Sequence, residues 1–257
     1  MAQPQSASRY RTASLAVALQ AVRQAFAARP RGSSAVATTV ATYQAAQAVL
    51  AERSVTAILT EQGIDVTPAS TLIATSFTTE LARLTTEFEK SIEQQWTDYQ
   101  FQRLTESLVQ DAGRAAQSVA IATRPRVAWV RHLTLPSCSR CAVLAGRVYR
   151  YSEGFQRHPG CDCVMVPTTV GGVEPYDLET LVREDKVSGL SKADRRAIAD
   201  GADLGRVVNV RRSSAGISES GRVLYRRDRM TPEAIYRQTG DDREAALALL
   251  QRNGYIR

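Results

Sequence analysis

All four cysteines of this 257-residue chain, and one of its two histidines, fall between Cys138 and Cys163. The stretch opens with C-S-R-C and closes with H-P-G-C-D-C. Cys138 and Cys141, three residues apart, can turn both thiols inward around one ion. His158 and Cys161, spaced alike around a Pro-Gly turn, resemble a second chelating loop. Such a donor set is that of a tetrahedral zinc site. A disulfide pair and buried thiols are the other readings of the same residues. Five candidates, Cys138, Cys141, His158, Cys161 and Cys163, compete for four positions. Cys161 and Cys163 would share one face of an extended segment, so holding both on one ion requires local bending. That favours Cys138, Cys141, His158 and one of Cys161 or Cys163, with Cys161 preferred and a bent C-x-C chelate left open. The surplus of donors favours a closed, structural Zn2+, because a catalytic zinc keeps an open position and needs a general base. Zinc binding then contributes folding free energy to a loop-rich module without a large core of its own. His132, the second histidine, has no partner spacing and reads as an ordinary residue.

The surroundings bear on that chemistry. The start of the chain lacks the basic and apolar regions of a secretory signal, so a reducing compartment is expected. Clustered cysteines there bind metal more often than they pair. No apolar run approaches the ~18 residues of a membrane span. The net charge is +7, and the surplus is one-sided. Residues 1–123 carry 10 basic and 10 acidic side chains, and residues 124–257 carry 23 and 16. A basic half suggests an anionic partner such as nucleic acid, although 30 of the 33 cations are arginine, a bias that genome composition also produces.

Residues 1–123 read as a helical scaffold or docking region. Leu15, Leu19, Val22 and Phe26 form one helical stripe, and Pro30 to Ser34 breaks it. A second helix carries Val36, Val40, Tyr43 and Leu50 and stops near Gly63, a position for positive φ. Thr67-Pro68 suits a helix start. Phe77, Leu81, Leu84, Phe88, Ile92, Trp96, Tyr99, Leu104 and Leu108 then continue one apolar pattern. Unbroken to Ala120, that helix would measure roughly 75–80 Å at about 1.5 Å per residue. Gly113 would loosen its end. Helices of this length need partners, either each other or further copies of the chain.

Residues 124–170 form the cysteine-bearing β module, with strands expected at Arg126–Leu133, Val148–Tyr151 and Val164–Val166. Residues 171–257 form a basic region of short helices: Tyr176–Val187, one capped by Ser191 with Asp194, one opened by Thr231-Pro232, and a last one capped by Asp241. Asn253-Gly254 ends that last helix, and Tyr255 folds back. Lys192–Val208 looks like helix-turn-helix, but Val207–Val210 favours an extended chain. Arg206, Arg211, Arg212, Arg222, Arg226, Arg227 and Arg229 lie among serines and glycines. They read as a mobile basic loop that touches DNA backbone, orders on another protein, or serves as linker. The fold class is α-rich α+β: an elongated helical region with a very long helix, a small zinc-stabilised β-hairpin module and a short-helix C-terminal region.

The run C-S-R-C-A-V-L-A-G-R-V-Y followed by H-P-G-C-D-C-V-M-V-P resembles the cysteine/histidine signature of phage minor head proteins of the Mu F type. Asp162 stands where that signature usually has arginine. G-A-D-L-G-R-V-V-N-V-R-R, T-P-E-A-I-Y-R-Q-T-G and L-L-Q-R-N-G-Y-I resemble versions from phages of actinobacteria. The motif resemblance covers roughly residues 125–257. It implies a non-enzymatic head-morphogenesis protein in the virion, at the capsid interior or portal vertex, and in host cytoplasm during assembly. Its implied partners are the portal protein, the major capsid protein and non-specifically bound genomic DNA. The alternative is a zinc-stabilised DNA-binding protein, or a packaging nuclease using His132 beside acidic ligands.

Overall fold

The computed structural model describes residues 4–65, 81–156, 161, 163–169, 173, 176–210, 216–217, 223–224 and 229–256. In chain order come helices α1 (Gln5–Ala28), α2 (Ser33–Glu61), α3 (Leu81–Glu93) and α4 (Asp98–Ala122). There follow β1 (Ala128–His132), β2 (Ser137–Cys138), α5 (Ser139–Ala145), β3 (Val148–Tyr149) and β4 (Val164–Thr168). The rest is α6 (Leu178–Arg183), β5 (Val187–Ser188), α7 (Lys192–Ala199), α8 (Leu204–Val210), β6 (Gly216–Ile217), β7 (Val223–Leu224), α9 (Pro232–Thr239) and α10 (Arg243–Arg252). The protein is therefore helix-rich with small sheets, the class expected. The chain divides into two compact units, Met1–His132 with Val148–Glu174, and Leu133–Arg147 with Pro175–Arg257.

In the first unit, α1, α2 and α4 pack on one another. The buried face of α1 is built on Ala18, Ala21, Ala25 and Ala28, against Val36, Ala37 and Val40 of α2 and Phe88, Phe101 and Val109. This departs from the expected leucine stripe, since Leu19 is 41% exposed. Small residues let helix axes approach closely, and the larger ones then fall to the flanks of the contact. Gly63 has φ +73°, the positive value its place after α2 requires.

The apolar run from Leu81 to Leu108 is not one helix. It turns between α3 and α4, where Gln95 has φ +50°. Thr97 caps α4 with a reciprocal box: Gln100 N–H donates to Thr97 Oγ1 at 3.3 Å, and Thr97 N–H donates to Gln100 Oε1 at 2.9 Å. A capping hydroxyl and a glutamine three residues on start a helix afresh inside an unbroken apolar pattern. Arg29 locks the turn by bonding Asp98 at 2.8 Å and the Trp96 carbonyl at 3.3 Å. Among the described residues the long helices are α1, α2 and α4, with 24, 29 and 25 residues. The expected helix start at Thr67-Pro68, with Phe77, lies outside the described residues.

The sheet of this unit has strand order β3-β1-β4, all antiparallel. Trp129 of β1 faces Tyr149 on one side and Pro167 on the other. Pro167 is tolerated because β4 is an edge strand of the three-stranded order. Alternation along β1 sends Trp129 into the core with Ala116, Ala120 and Ile121 of α4, and Val130 into a second cluster with Ala7 and Ile58.

In the second unit, β2 pairs with β5 in parallel, Ser137 opposite Val187. The capping box of α7 forms as expected, with Asp194 N–H 3.1 Å from Ser191 Oγ and Ser191 N–H 2.9 Å from Asp194 Oδ2. Thr231 caps α9, with Pro232 at its first position. The cap of α10 is Asp242, one residue beyond the expected Asp241. Gly254 has φ +71° and Tyr255 is fully buried, its hydroxyl donating to the Met230 carbonyl at 2.7 Å. The Val207–Val210 segment is helical, not extended: Asp203 Oδ1 accepts from Arg206 N–H at 2.8 Å at the start of α8, and Leu204 and Val207 are buried on one side. Local capping and burial outweigh the β preference of three valines. Within the stretch expected as a basic loop, β6 and β7 form an antiparallel ladder, Gly216 opposite Leu224 and Ile217 opposite Val223.

Candidate metal centre

Cys138 ends β2 and is the N-cap of α5. Its Sγ accepts from the Cys141 amide at 3.4 Å. The C-x-x-C spacing therefore opens a short helix. Serine-like capping by a thiol explains the helix start. Cys141, on the first turn of that helix, is 3% exposed.

Cys161 and Cys163 precede β4 and are 3% and 1% exposed. Two arginines hold Cys161. Arg114 of α4 donates through Nη2 to the Cys161 carbonyl. Arg131 of β1 directs Nη1 at Cys161 Sγ, 3.7 Å away, and donates through Nη2 to the Gln156 carbonyl. Phe155 takes both cations on its ring, Arg131 at 3.9 Å and Arg114 at 5.5 Å from the centroid. Trp129 packs beside Phe155 and stacks on Tyr149 at 4.2 Å. Strand periodicity offers no sign of Arg131, since a charged residue inside a strand reads as solvent-facing. It is 1% exposed.

The four cysteines are thiols, with no disulfide among them. In the first unit the Sγ atoms of Cys161 and Cys163 lie within 4.8 Å of each other. Thiolates around a tetrahedral zinc stand about 3.8 Å apart, given Zn–S bonds of about 2.3 Å. Two buried sulfurs at this separation fit two corners of a site for a soft divalent metal and could bind zinc. Both members of the C-x-C pair converge, where the sequence reading prefers one, and β4 begins only at Val164. His158 lies outside the described residues.

Of the seven candidate nucleic-acid-binding arginines, Arg211, Arg212, Arg222, Arg226 and Arg227 also lie outside the described residues. Arg206 donates to the Gly254 carbonyl, closing the C-terminus onto α8. Arg229 is exposed beside Gly254. Other cations of this half are engaged within the second unit. Arg195 bonds the Val182 and Val187 carbonyls, Arg196 lies over Tyr236, and Arg243 pairs with Asp200 at 3.0 Å. Part of the basic surplus thus serves packing. His132, at the end of β1, has Nε2 3.5 Å from Ser8 Oγ. Burial, and then the Arg11 cation, push its pKa below the ordinary histidine value, favouring the neutral imidazole. Among the described residues no helix is long and apolar enough to cross a membrane.

A family model described as VG15 protein matches residues 1–184. No curated protein and no solved structure matches the chain.

Proposed function

The chain belongs to the VG15 family of phage proteins, and on that premise we propose that it is a minor capsid, head-morphogenesis protein of the Mu F-like kind, braced by a structural zinc. The observation that carries the reading is the joint occurrence of this membership with two buried, converging C-x-C thiols in the first unit. In this reading Cys161 and Cys163 hold the ion, with further donors from Cys138, Cys141 and His158. Zinc would supply cross-linking of loop segments, so its binding free energy adds to folding free energy. The protein acts by assembly and not by chemistry. The neutral imidazole of His132 beside Ser8 and Arg11 is consistent with a packing role. The N-terminal helices dock on portal or major capsid protein, or on further copies of the chain. The arginine-rich segment contacts packaged DNA without sequence preference. Its location is the virion, and host cytoplasm during assembly.

Two measurements test this. Mass spectrometry of purified virions and of portal-containing assemblies should find the protein in both, and absence from both overturns the assembly role. Metal analysis of the purified chain should find about one zinc per chain, with chelation lowering its melting temperature. Traces of metal and an unchanged melt overturn the zinc.

A further inference from the structure

We propose that Arg131 is a positioning residue for the thiolate centre: its guanidinium, sealed inside the first unit, donates to Cys161 Sγ and so sets that sulfur's orientation and its bond to metal. The inference rests on the zinc reading above and adds a residue to it.

A guanidinium carries five donors and a charge, and removing it from water is expensive unless those donors are met. A strand position facing an apolar core is an unfavourable place for one, and Arg131 shares its face of β1 with Trp129. Three contacts accept it there: the Gln156 carbonyl, the Phe155 ring and Cys161 Sγ. The carbonyl and the ring fix the plane of the fork. With that plane fixed, Nη1 stands 3.7 Å from the sulfur, within hydrogen-bond reach for an acceptor of that size. Arg114 fixes the backbone of the same cysteine through its carbonyl. Main chain and sulfur of Cys161 are thus held by separate cations from separate elements, α4 and β1. A buried cation beside a thiolate offsets part of the negative charge of a sulfur-rich centre. A donor on that sulfur is the usual outer support that orients a ligand, and losing one weakens metal binding about 10–100-fold.

Arg131→Met, in the full chain, removes both charge and donor. Zinc affinity, by competition with a chromophoric chelator, should fall about 10–100-fold. In the cobalt-loaded protein the sulfur-to-metal charge-transfer band should move to longer wavelength, because a sulfur without its donor gives up electrons more easily. A purely structural residue would leave that band in place. Arg124→Met is the control. Arg124 is 5% exposed and bonds the Ala120 carbonyl and Thr56 Oγ1, so its loss should lower stability with zinc affinity and band unchanged. Arg131→Gln carries the same test if the methionine variant does not fold. Wild-type affinity with an unmoved band in the Arg131 variant overturns the inference, as does an equal loss of affinity in Arg124→Met. A wild-type chain that takes up neither zinc nor cobalt overturns the zinc reading itself, a result distinct from both.

Discussion

Gly113 lies inside α4, where helix propensity and packing make opposite forecasts. Replacing a mid-helix glycine with alanine normally stabilises by about 1 kcal/mol. Here an alanine Cβ would meet Gln47 Cγ and Nε2, both at 2.8 Å, and the Tyr10 hydroxyl at 3.0 Å. Gln47 is fully buried, and its Nε2 donates to Ser14 Oγ. It cannot swing into solvent, and moving it strains or breaks that bond. Overpacking costs about 1–3 kcal/mol, and a buried group left unsatisfied costs a similar amount. Packing wins, and Gly113→Ala should destabilise the protein by about 2 kcal/mol after the propensity gain. That corresponds to a fall in melting temperature of about 4–8 °C for a chain of this size. Urea denaturation of Gly113→Ala, Gln47→Ala and the double variant forms the assay. With Gln47 truncated the two nearest obstacles are gone and the Tyr10 hydroxyl at 3.0 Å remains, so most of the cost of Gly113→Ala should disappear. A stabilising Gly113→Ala in the wild-type background, or an equal cost in the Gln47→Ala background, would refute the close-approach reasoning.

His132 makes stability depend on pH. Its folded-state pKa lies below the ordinary value, so the unfolded chain binds the proton first as pH falls. The contribution is complete above about pH 6.5 and is lost progressively as pH drops below that value. The slope of unfolding free energy between about pH 5 and 7 should flatten in His132→Gln, and an unchanged slope refutes the assignment. Tyr255→Ala should cost about 3–5 kcal/mol by denaturant melt, since the ring is fully buried and its hydroxyl is bonded to Met230. A loss under about 1 kcal/mol would mean that the tail contributes no core to the second unit.

Local chemistry was legible wherever a few neighbouring residues decide the outcome. Ser191 with Asp194, Thr231 with Pro232, and Gly63 and Gly254 at positive φ all stand where their residue types require. The strand at Ala128–His132 and the helix-rich class were readable in the same way. Misreadings arose where several elements compete for one residue. Leu19 belongs to a regular stripe, yet the helix buries its alanines, because axis separation depends on the partner helix. Gly113 suggested a loosened helix end, yet it allows two buried side chains of other helices to touch the backbone. Val207–Val210 suggested a strand, yet Asp203 caps it into a helix.

The Cys138–Cys163 stretch divides the same way. Its residue types and spacing, by themselves, determined that soft donors able to bind a metal lie close along the chain. Spacing along a chain cannot decide which sulfurs converge, because that depends on where a strand begins. Tertiary structure drew Cys161 and Cys163 together just ahead of β4. It also brought Arg131 from a strand thirty residues away to the Cys161 sulfur. No local pattern encodes such a contact, because its geometry exists only once the core that fixes the guanidinium has formed.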